Sequence, residues 1–165
     1  MNDILCLYYS RTGKTKTAME EIAAALDAEL VAFTDGEDYS GAGGFLWAGK
    51  SAMQRKTLPI EPFETKKPLS EYRLVILGTP VWAGRCASPA RGLLKRRGLE
   101  LTHVAYVLTR AGKSRYEEVF DQMDQYTAQK HVLGVSLRAG DVGYAYWRDD
   151  FIQNVKRYME QTYGG

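Results

Sequence analysis

Ser10-Arg11-Thr12-Gly13-Lys14-Thr15 separates an apolar run, residues 4–9, from an amphipathic one, residues 17–26. A hydroxyl-rich turn between a strand and a helix start is suited to holding an anion. Backbone N–H groups there lack intrahelical acceptors, and the helix dipole favours negative charge. Ser10, Thr12 and Thr15 add three hydroxyl donors, and Gly13 lets the backbone approach a ligand closely. The turn predicts a phosphorylated ligand at the first strand–helix junction.

The chain on either side of this turn repeats the same alternation. Five short apolar runs, rich in β-branched residues, occupy residues 4–9, 30–33, 74–77, 104–108 and 132–137. Helical patterns separate most of them. Residues 15–26 place Ala18, Met19, Ile22, Ala23 and Leu26 close to a 3.6-residue period. Residues 87–97 open with Ser88-Pro89, which suits a first helical turn. Residues 116–126 carry Tyr116, Val119, Phe120, Met123 and Tyr126, and residues 149–163 carry Phe151, Ile152, Val155, Tyr158 and Met159. Strand alternating with helix predicts an α/β three-layer sandwich around a five-stranded parallel sheet in the order 2-1-3-4-5, with right-handed crossovers. Uninterrupted apolar strands agree with a sheet covered on both faces. Residues 34–68 break the rhythm with Gly36, Gly41, Gly43, Gly44 and Gly49, then Pro59, Pro62 and Pro68. This insert is long for a connection, is expected to hold a short helix over residues 45–55, and marks a functional or mobile segment.

Length and composition bound the function. One domain over residues 1–165 is expected, with 45% apolar and 25% charged residues, ordinary for a globular chain. The net charge of +2 argues against bulk nucleic-acid binding, and no apolar run approaches the ~20 residues of a membrane span. The start, Met1-Asn2-Asp3, lacks a basic, then apolar, leader. Cys6 and Cys86 imply no disulfide framework, so the expected location is cytoplasmic.

In an open parallel sheet, ligands lie beyond the carboxyl ends of the strands where the strand order reverses. For the order 2-1-3-4-5 that point lies between the first and third strands. Three loops meet there: the hydroxyl turn, Gly78-Thr79-Pro80-Val81-Trp82-Ala83-Gly84, and Thr109-Arg110-Ala111-Gly112-Lys113-Ser114. Pro80 stiffens the second loop, Gly78 and Gly84 permit unusual backbone angles, and Trp82 offers a flat apolar face. The third loop offers small residues and N–H groups. Together they suit a planar heterocycle with a phosphate tail.

On Tyr8-Tyr9-Ser10-Arg11-Thr12-Gly13-Lys14-Thr15, Gly78-Thr79-Pro80-Val81-Trp82-Ala83-Gly84 and the Thr109–Ser114 loop, the chain resembles the flavodoxin family, which binds flavin mononucleotide (FMN). The resemblance extends over most of the chain and is weakest in the insert, although residues 43–52 look like an insert of a bacterial subgroup. It implies that Ser10, Arg11, Thr12, Gly13, Lys14 and Thr15 hold the FMN phosphate. It also implies that Pro80, Val81, Trp82, Ala83 and Gly84 line the isoalloxazine ring, while Thr109, Arg110, Ala111, Gly112 and Lys113 meet its pyrimidine edge. The third loop departs from family versions richer in glycine, aromatic or acidic residues.

Rival motifs fail residue by residue. Gly13-Lys14-Thr15 mimics the end of a Walker A loop, but Tyr8 stands where its first glycine belongs. No acidic residue follows the first strand, as a receiver domain requires. Cys6 to Arg11 and Cys86 to Arg91 are each one residue short of a phosphatase loop. Gly41-Ala42-Gly43 reaches Leu46, not glycine, so no dinucleotide fingerprint is present. Cys86 reads as a structural thiol. His103 and His131 lack a third ligand in register, so no metal site is expected. Trp82 reads as a ligand wall; Trp47 and Trp147 read as packing residues first and ring caps second. No catalytic acid or base declares itself.

The resemblance implies an electron-transfer protein shuttling electrons between redox partner proteins, with FMN supplying the redox chemistry. The alternative is an NAD(P)H-dependent FMN-containing quinone reductase or another flavin oxidoreductase acting on a small-molecule electron acceptor. Small size and the lack of a second nucleotide motif favour the carrier. The slight basic balance and the insert, a candidate roof over a substrate pocket, favour the enzyme. Arg110 and Lys113 add a further expectation: a cation near the pyrimidine end eases formation of the anionic, fully reduced flavin.

Overall fold

The computed structural model describes residues 3–54 and 57–164. Its elements run β1 (Ile4–Tyr8), α1 (Lys14–Leu26), β2 (Glu29–Ala32), α2 (Gly41–Met53), β3 (Leu74–Trp82), β4 (Arg85–Cys86), α3 (Ser88–Arg97), β5 (Val104–Thr109), α4 (Glu118–Asp124), β6 (Leu133–Leu137) and α5 (Tyr144–Tyr163). The sheet order is β2-β1-β3-β5-β6, every neighbouring pair parallel, with β4 folded back antiparallel on the end of β3. Counting only the parallel strands, this is 2-1-3-4-5, as the alternation predicts.

Side-chain alternation along each strand sorts the core into two layers. Leu5, Leu7, Val75, Leu77, Tyr106 and Leu108 face one side with Leu93 and Leu94 of α3, Val119 and Met123 of α4, and Ala48 and Ala52 of α2. Ile4, Cys6, Ile76, Ala105, Val107 and Val135 face the other with Met19 and Ile22 of α1 and Phe151 and Val155 of α5. Each central strand is therefore mostly apolar on both faces, with Thr79 and Thr109 as buried polar residues near the carboxyl ends of β3 and β5. Burying one such leucine or isoleucine contributes about 1.5–3 kcal/mol.

Several element limits differ from the sequence reading. β3 does not stop at Leu77; it runs on through Gly-Thr-Pro-Val-Trp, because Gly78, Thr79 and Pro80 stay in register with Val107, Leu108 and Thr109 of β5. Gly78 has no positive φ. Its reason is packing: a Cβ there falls 2.6 Å from Sδ of Met19, so glycine lets α1 lie close on β3. Only the second glycine is conformational. Ala83 (φ 49°) and Gly84 (φ 75°) form the two-residue connection between β3 and β4, both left-handed as a tight hairpin requires. Helix α5 starts five residues before the expected position, and α4 spans less than residues 116–126 because Tyr116 adopts φ 56°.

The insert is part of the core. Its helix begins at Gly41, four residues before the expected start, and the expected end at Arg55 lies outside the described residues. Glycine-rich sequence is a poor helix former, so tertiary contacts hold α2. Ala48, Ser51 and Ala52 are buried. Ser51 and Ser88 share a hydrogen bond of 2.6 Å between hydroxyls, and the Arg91 guanidinium donates to the Ala52 carbonyl at 3.3 Å. Gly44 packs on backbone: a Cβ there lies 2.1 Å from the Tyr39 carbonyl oxygen. Gly44→Ala therefore lowers stability by about 1–3 kcal/mol, despite the better helix propensity of alanine. Urea denaturation reads this directly, and an unchanged or raised midpoint contradicts the packing.

Candidate functional site

The carboxyl tips of β1, β3 and β5 end side by side, since Tyr8 pairs with Gly78 and Pro80 with Thr109. Beyond them lies a cleft of about 640 Å³. Arg11, Thr12, Lys14 and Thr15 border it from the first turn, Pro80, Val81, Trp82 and Ala83 from the β3 end, and Thr109, Arg110, Ala111 and Gly112 from the β5 end. The three segments named from sequence thus share one cavity. Ser10, Gly13, Gly84 and Lys113 do not border it among the described residues.

Ser10 and Gly13 shape the turn. The Ser10 hydroxyl accepts the Gly13 N–H at 3.0 Å and the Lys16 N–H at 3.2 Å. Gly13 is the N-cap of α1 with φ 98°, an angle costly for any residue with a Cβ, and no side chain caps the helix from that position. The first-turn amides of Lys14 and Thr15 have no intrahelical acceptor. Thr15 is buried, and its hydroxyl meets that of Thr109 at 2.6 Å, tying the first turn to the β5 tip across β3. Thr12 is exposed. Arg11 turns away from the amides: it donates to the Tyr39 carbonyl at 2.9 Å and sits 5.6 Å from the Phe45 ring centre. Lys14 borders the cleft from the first helical turn, while Arg11 fastens the turn to the insert.

Trp82 is both wall and core. It is 7% exposed, meets Tyr9 edge-on at 5.7 Å and packs on Tyr39 at 4.7 Å between ring centres. Burial and the nearby Asp35 carboxylate push the Tyr9 and Tyr39 phenols upward; the Tyr39 hydroxyl donates to Asp35 at 3.0 Å. Arg110 is held by two bonds, Nε to the Ser136 hydroxyl at 2.9 Å and Nη1 to the Gly112 carbonyl at 2.7 Å. Partial burial first, then the neighbouring Arg115, lowers its affinity for the proton.

The rest of the lining escaped the sequence. Helix α2 contributes Phe45, Leu46, Ala48, Gly49, Lys50 and Met53, its C-cap adds Gln54, and the loops add Tyr116 and Ala139. The available signal was the four-residue spacing of residues 45, 49 and 53 and of residues 46, 50 and 54, obscured by the glycines around it. Trp47 packs against the core instead of the cleft, and Trp147 lies under the Arg115 guanidinium at 4.4 Å.

Elsewhere, His131 acquires acidic neighbours that its sequence spacing hides. Ligand atoms of Asp121, Asp124 and His131 lie within 4.8 Å of one another. The Asp124 carboxylate is already used: it accepts the Tyr106 hydroxyl at 2.8 Å and the His131 N–H at 3.0 Å, and meets His131 Nδ1 at 2.7 Å. This cluster pins the end of α4 to β5. No helix among the described residues is long and apolar enough to cross a membrane.

No protein-family model matches the chain, and no curated protein matches it. Solved structures do. A candidate flavoprotein from Bacteroides eggerthii superposes with a TM-score of 0.72 at 17% identity, covering 95% of each chain. A flavoprotein from Lactobacillus acidophilus, solved in complex with FMN, gives 0.64 at 25% identity over 89% of this chain and 99% of that one. The fold is flavodoxin-like. Oxidised Flavodoxin 2 from Bacillus cereus gives 0.56 at 16% identity over 94% and 98%. In this flavodoxin-like chain the tips of β1, β3 and β5 stand at the reversal of strand order, where such sheets place ligands.

Both cysteines are buried, and neither borders the cleft. Burial pushes the Cys6 thiol up to about 12 and the Cys86 thiol up to about 11, the latter eased slightly by Arg91. Both stay protonated in the folded chain at pH values where an unfolded thiol, near 9.0, ionises. Their contribution to stability is therefore complete below about pH 9 and is lost as the pH rises toward 11–12. A thiol reagent at pH 8 should label neither cysteine until denaturant unfolds the chain, and labelling of the native protein refutes this.

Proposed function

We propose that this chain binds FMN in the cleft and passes electrons between redox partners. The observation that carries the reading is a single cavity joining a helix N-terminus to the Trp82 wall at the reversal of strand order. The FMN complex of the Lactobacillus acidophilus flavoprotein, alike in fold, supports it. The donor set fits the cofactor. The Lys14 and Thr15 amides, the Thr12 hydroxyl and the Lys14 ammonium would hold the phosphate, which carries about −1.5 to −2 charges. Pro80, Val81, Trp82 and Ala83 would line the ring, and residues 109–112 would meet its polar edge. When bound, FMN supplies one- and two-electron transfer. The chain orients it, keeps water from one face through Trp82, and sets the charge around it through Arg110.

A carrier docking on protein partners is the first reading. An NAD(P)H-dependent reductase acting on a small acceptor is the second, favoured by one observation: the insert supplies a further apolar cleft wall, with Phe45, Leu46 and Met53, beside that of the β3 tip. Turnover of NADPH with a quinone by the purified holo-protein alone selects the enzyme; dependence on an added reductase selects the carrier.

The purified protein should be yellow, and the apo-protein should take up FMN in a saturable titration; a colourless protein that takes up none overturns the reading. Thr12→Ala removes one charge-assisted hydrogen bond, worth about 1.5–3 kcal/mol, and should weaken FMN binding by roughly ten- to a hundredfold. Because Thr12 is exposed, the unfolding midpoint of the apo-protein should stay where it is. Arg110 stabilises the anionic, fully reduced state by about 1 kcal/mol at a wet rim. Arg110→Gln should then lower the potential of the second one-electron step by ~40 mV in a redox titration. An unmoved potential places the guanidinium outside the reach of the ring.

A further inference from the structure

Helix α2 presents a surface that the flavin reading leaves unused. Phe45, Gly49 and Met53 lie at four-residue spacing on the cleft wall, and Leu46 and Lys50 occupy the neighbouring stripe. Phe45, Leu46 and Met53 are 63%, 72% and 68% exposed, high values for large apolar side chains in a concave site. Gly49 sits between the two larger members of the first stripe. Its φ is not left-handed, and a Cβ there meets no atom within 4 Å. Neither backbone angle nor packing inside the chain calls for glycine, which weakens a helix. At four-residue spacing its missing side chain leaves a gap on the cleft wall, a trough with Phe45 on one side and Met53 on the other. Both walls favour an aromatic occupant over an aliphatic one.

Charge narrows the occupant further. Four cations, Arg11, Lys14, Lys50 and Arg110, border the cleft, and no carboxylate does so among the described residues. Arg11 and Arg110 keep their charge but are fixed in place by hydrogen bonds, Arg11 to the Tyr39 carbonyl and Arg110 to Ser136 and Gly112. Lys14 stands at the phosphate end of the flavin reading. Lys50 remains, one residue beyond the floor of the trough.

We propose that this trough is a second ligand site, selective for a flat aromatic acid whose rings lie over Gly49, between Phe45 and Met53, with its carboxylate on the Lys50 ammonium. The proposal deepens the flavin reading and rests on it for the cofactor alongside; it names aromatic acids as the small-molecule class the cleft admits. Electrostatic attraction sets the preference for the anion, and the apolar walls set the preference for the ring.

The probe is 2-naphthoate, titrated by calorimetry into the holo-protein, with the uncharged 2-naphthamide as control. Wild type should bind naphthoate at one saturable site, at least threefold more tightly than the amide. Gly49→Leu, which fills the trough, should weaken naphthoate at least tenfold while leaving the FMN dissociation constant within twofold. Lys50→Gln should remove the preference for the acid over the amide. Gly49→Ala, the milder filling, checks that the effect follows side-chain volume and not misfolding, and circular dichroism confirms the fold of each variant. Absence of naphthoate binding, or binding indifferent to all three substitutions, overturns the proposal. So does a Gly49→Leu protein that loses FMN in step with naphthoate, because the trough then holds the flavin itself. If the wild type takes up no FMN, the flavin reading fails, and the same titration on the apo-protein decides the trough by the same criteria.

Discussion

The structure depends on β3 being paired in parallel on both sides. Its nine residues join β1 through Leu74–Gly78 and β5 through Val75–Pro80. A parallel strand leaves its partner's carboxyl end in line with its own, so β1, β3 and β5 all finish on one edge. The chain leaves β1 toward β2 and leaves β3 toward β5, in opposite directions across the sheet. The connections diverge, and the space between them becomes the cleft. Two packed faces follow from the same pairing, because alternate side chains of a central strand need cover on both sides. The Tyr9 N–H bond to the Gly78 carbonyl, at 3.1 Å, carries the register beyond the end of β1 into the turn that starts α1.

A second dependence runs through the insert. Helix α2 carries four glycines within thirteen residues and would be marginal alone. It persists because Ala48, Ser51 and Ala52 are buried and Gly44 closes on the Tyr39 backbone. Arg91 contributes at a cost. Its side chain is buried, Nη2 reaches the Ala52 carbonyl, and Nη1 has no hydrogen-bond partner among the described residues. A buried cation facing the carboxyl end of a helix gains from the dipole there, but an unsatisfied donor costs about 1–3 kcal/mol. The same helix is held at its other end by Arg11 on the Tyr39 carbonyl. Hydrogen bonds therefore tie the first turn and α3 to the insert, and the cleft takes its third wall from the helix so held.

Legibility in the sequence followed the range of the interaction involved. The five parallel strands were readable because each is a local apolar run, and the first turn because its hydroxyls and glycine are consecutive. The end of β3 was misread as loop because Gly78 and Pro80 usually punctuate. Here Gly78 answers to Met19, 59 positions earlier in the chain, and Pro80 sits in register with Thr109 near the sheet's edge of tips. The aromatic cluster of Tyr9, Tyr39 and Trp82, and the acidic company of His131, unite residues with no shared local pattern.

By itself the sequence determined the doubly wound sheet, its strand order and the three segments at its carboxyl edge, since periodicity and turn chemistry act over a few residues. Tertiary structure decided which side chains of those segments share a cavity. It turned Arg11 toward the insert, buried Trp82 against two tyrosines, and laid the apolar stripe of α2 along the cleft. The reason is physical: local sequence sets backbone conformation, whereas the direction and company of a side chain depend on what distant segments bring against it.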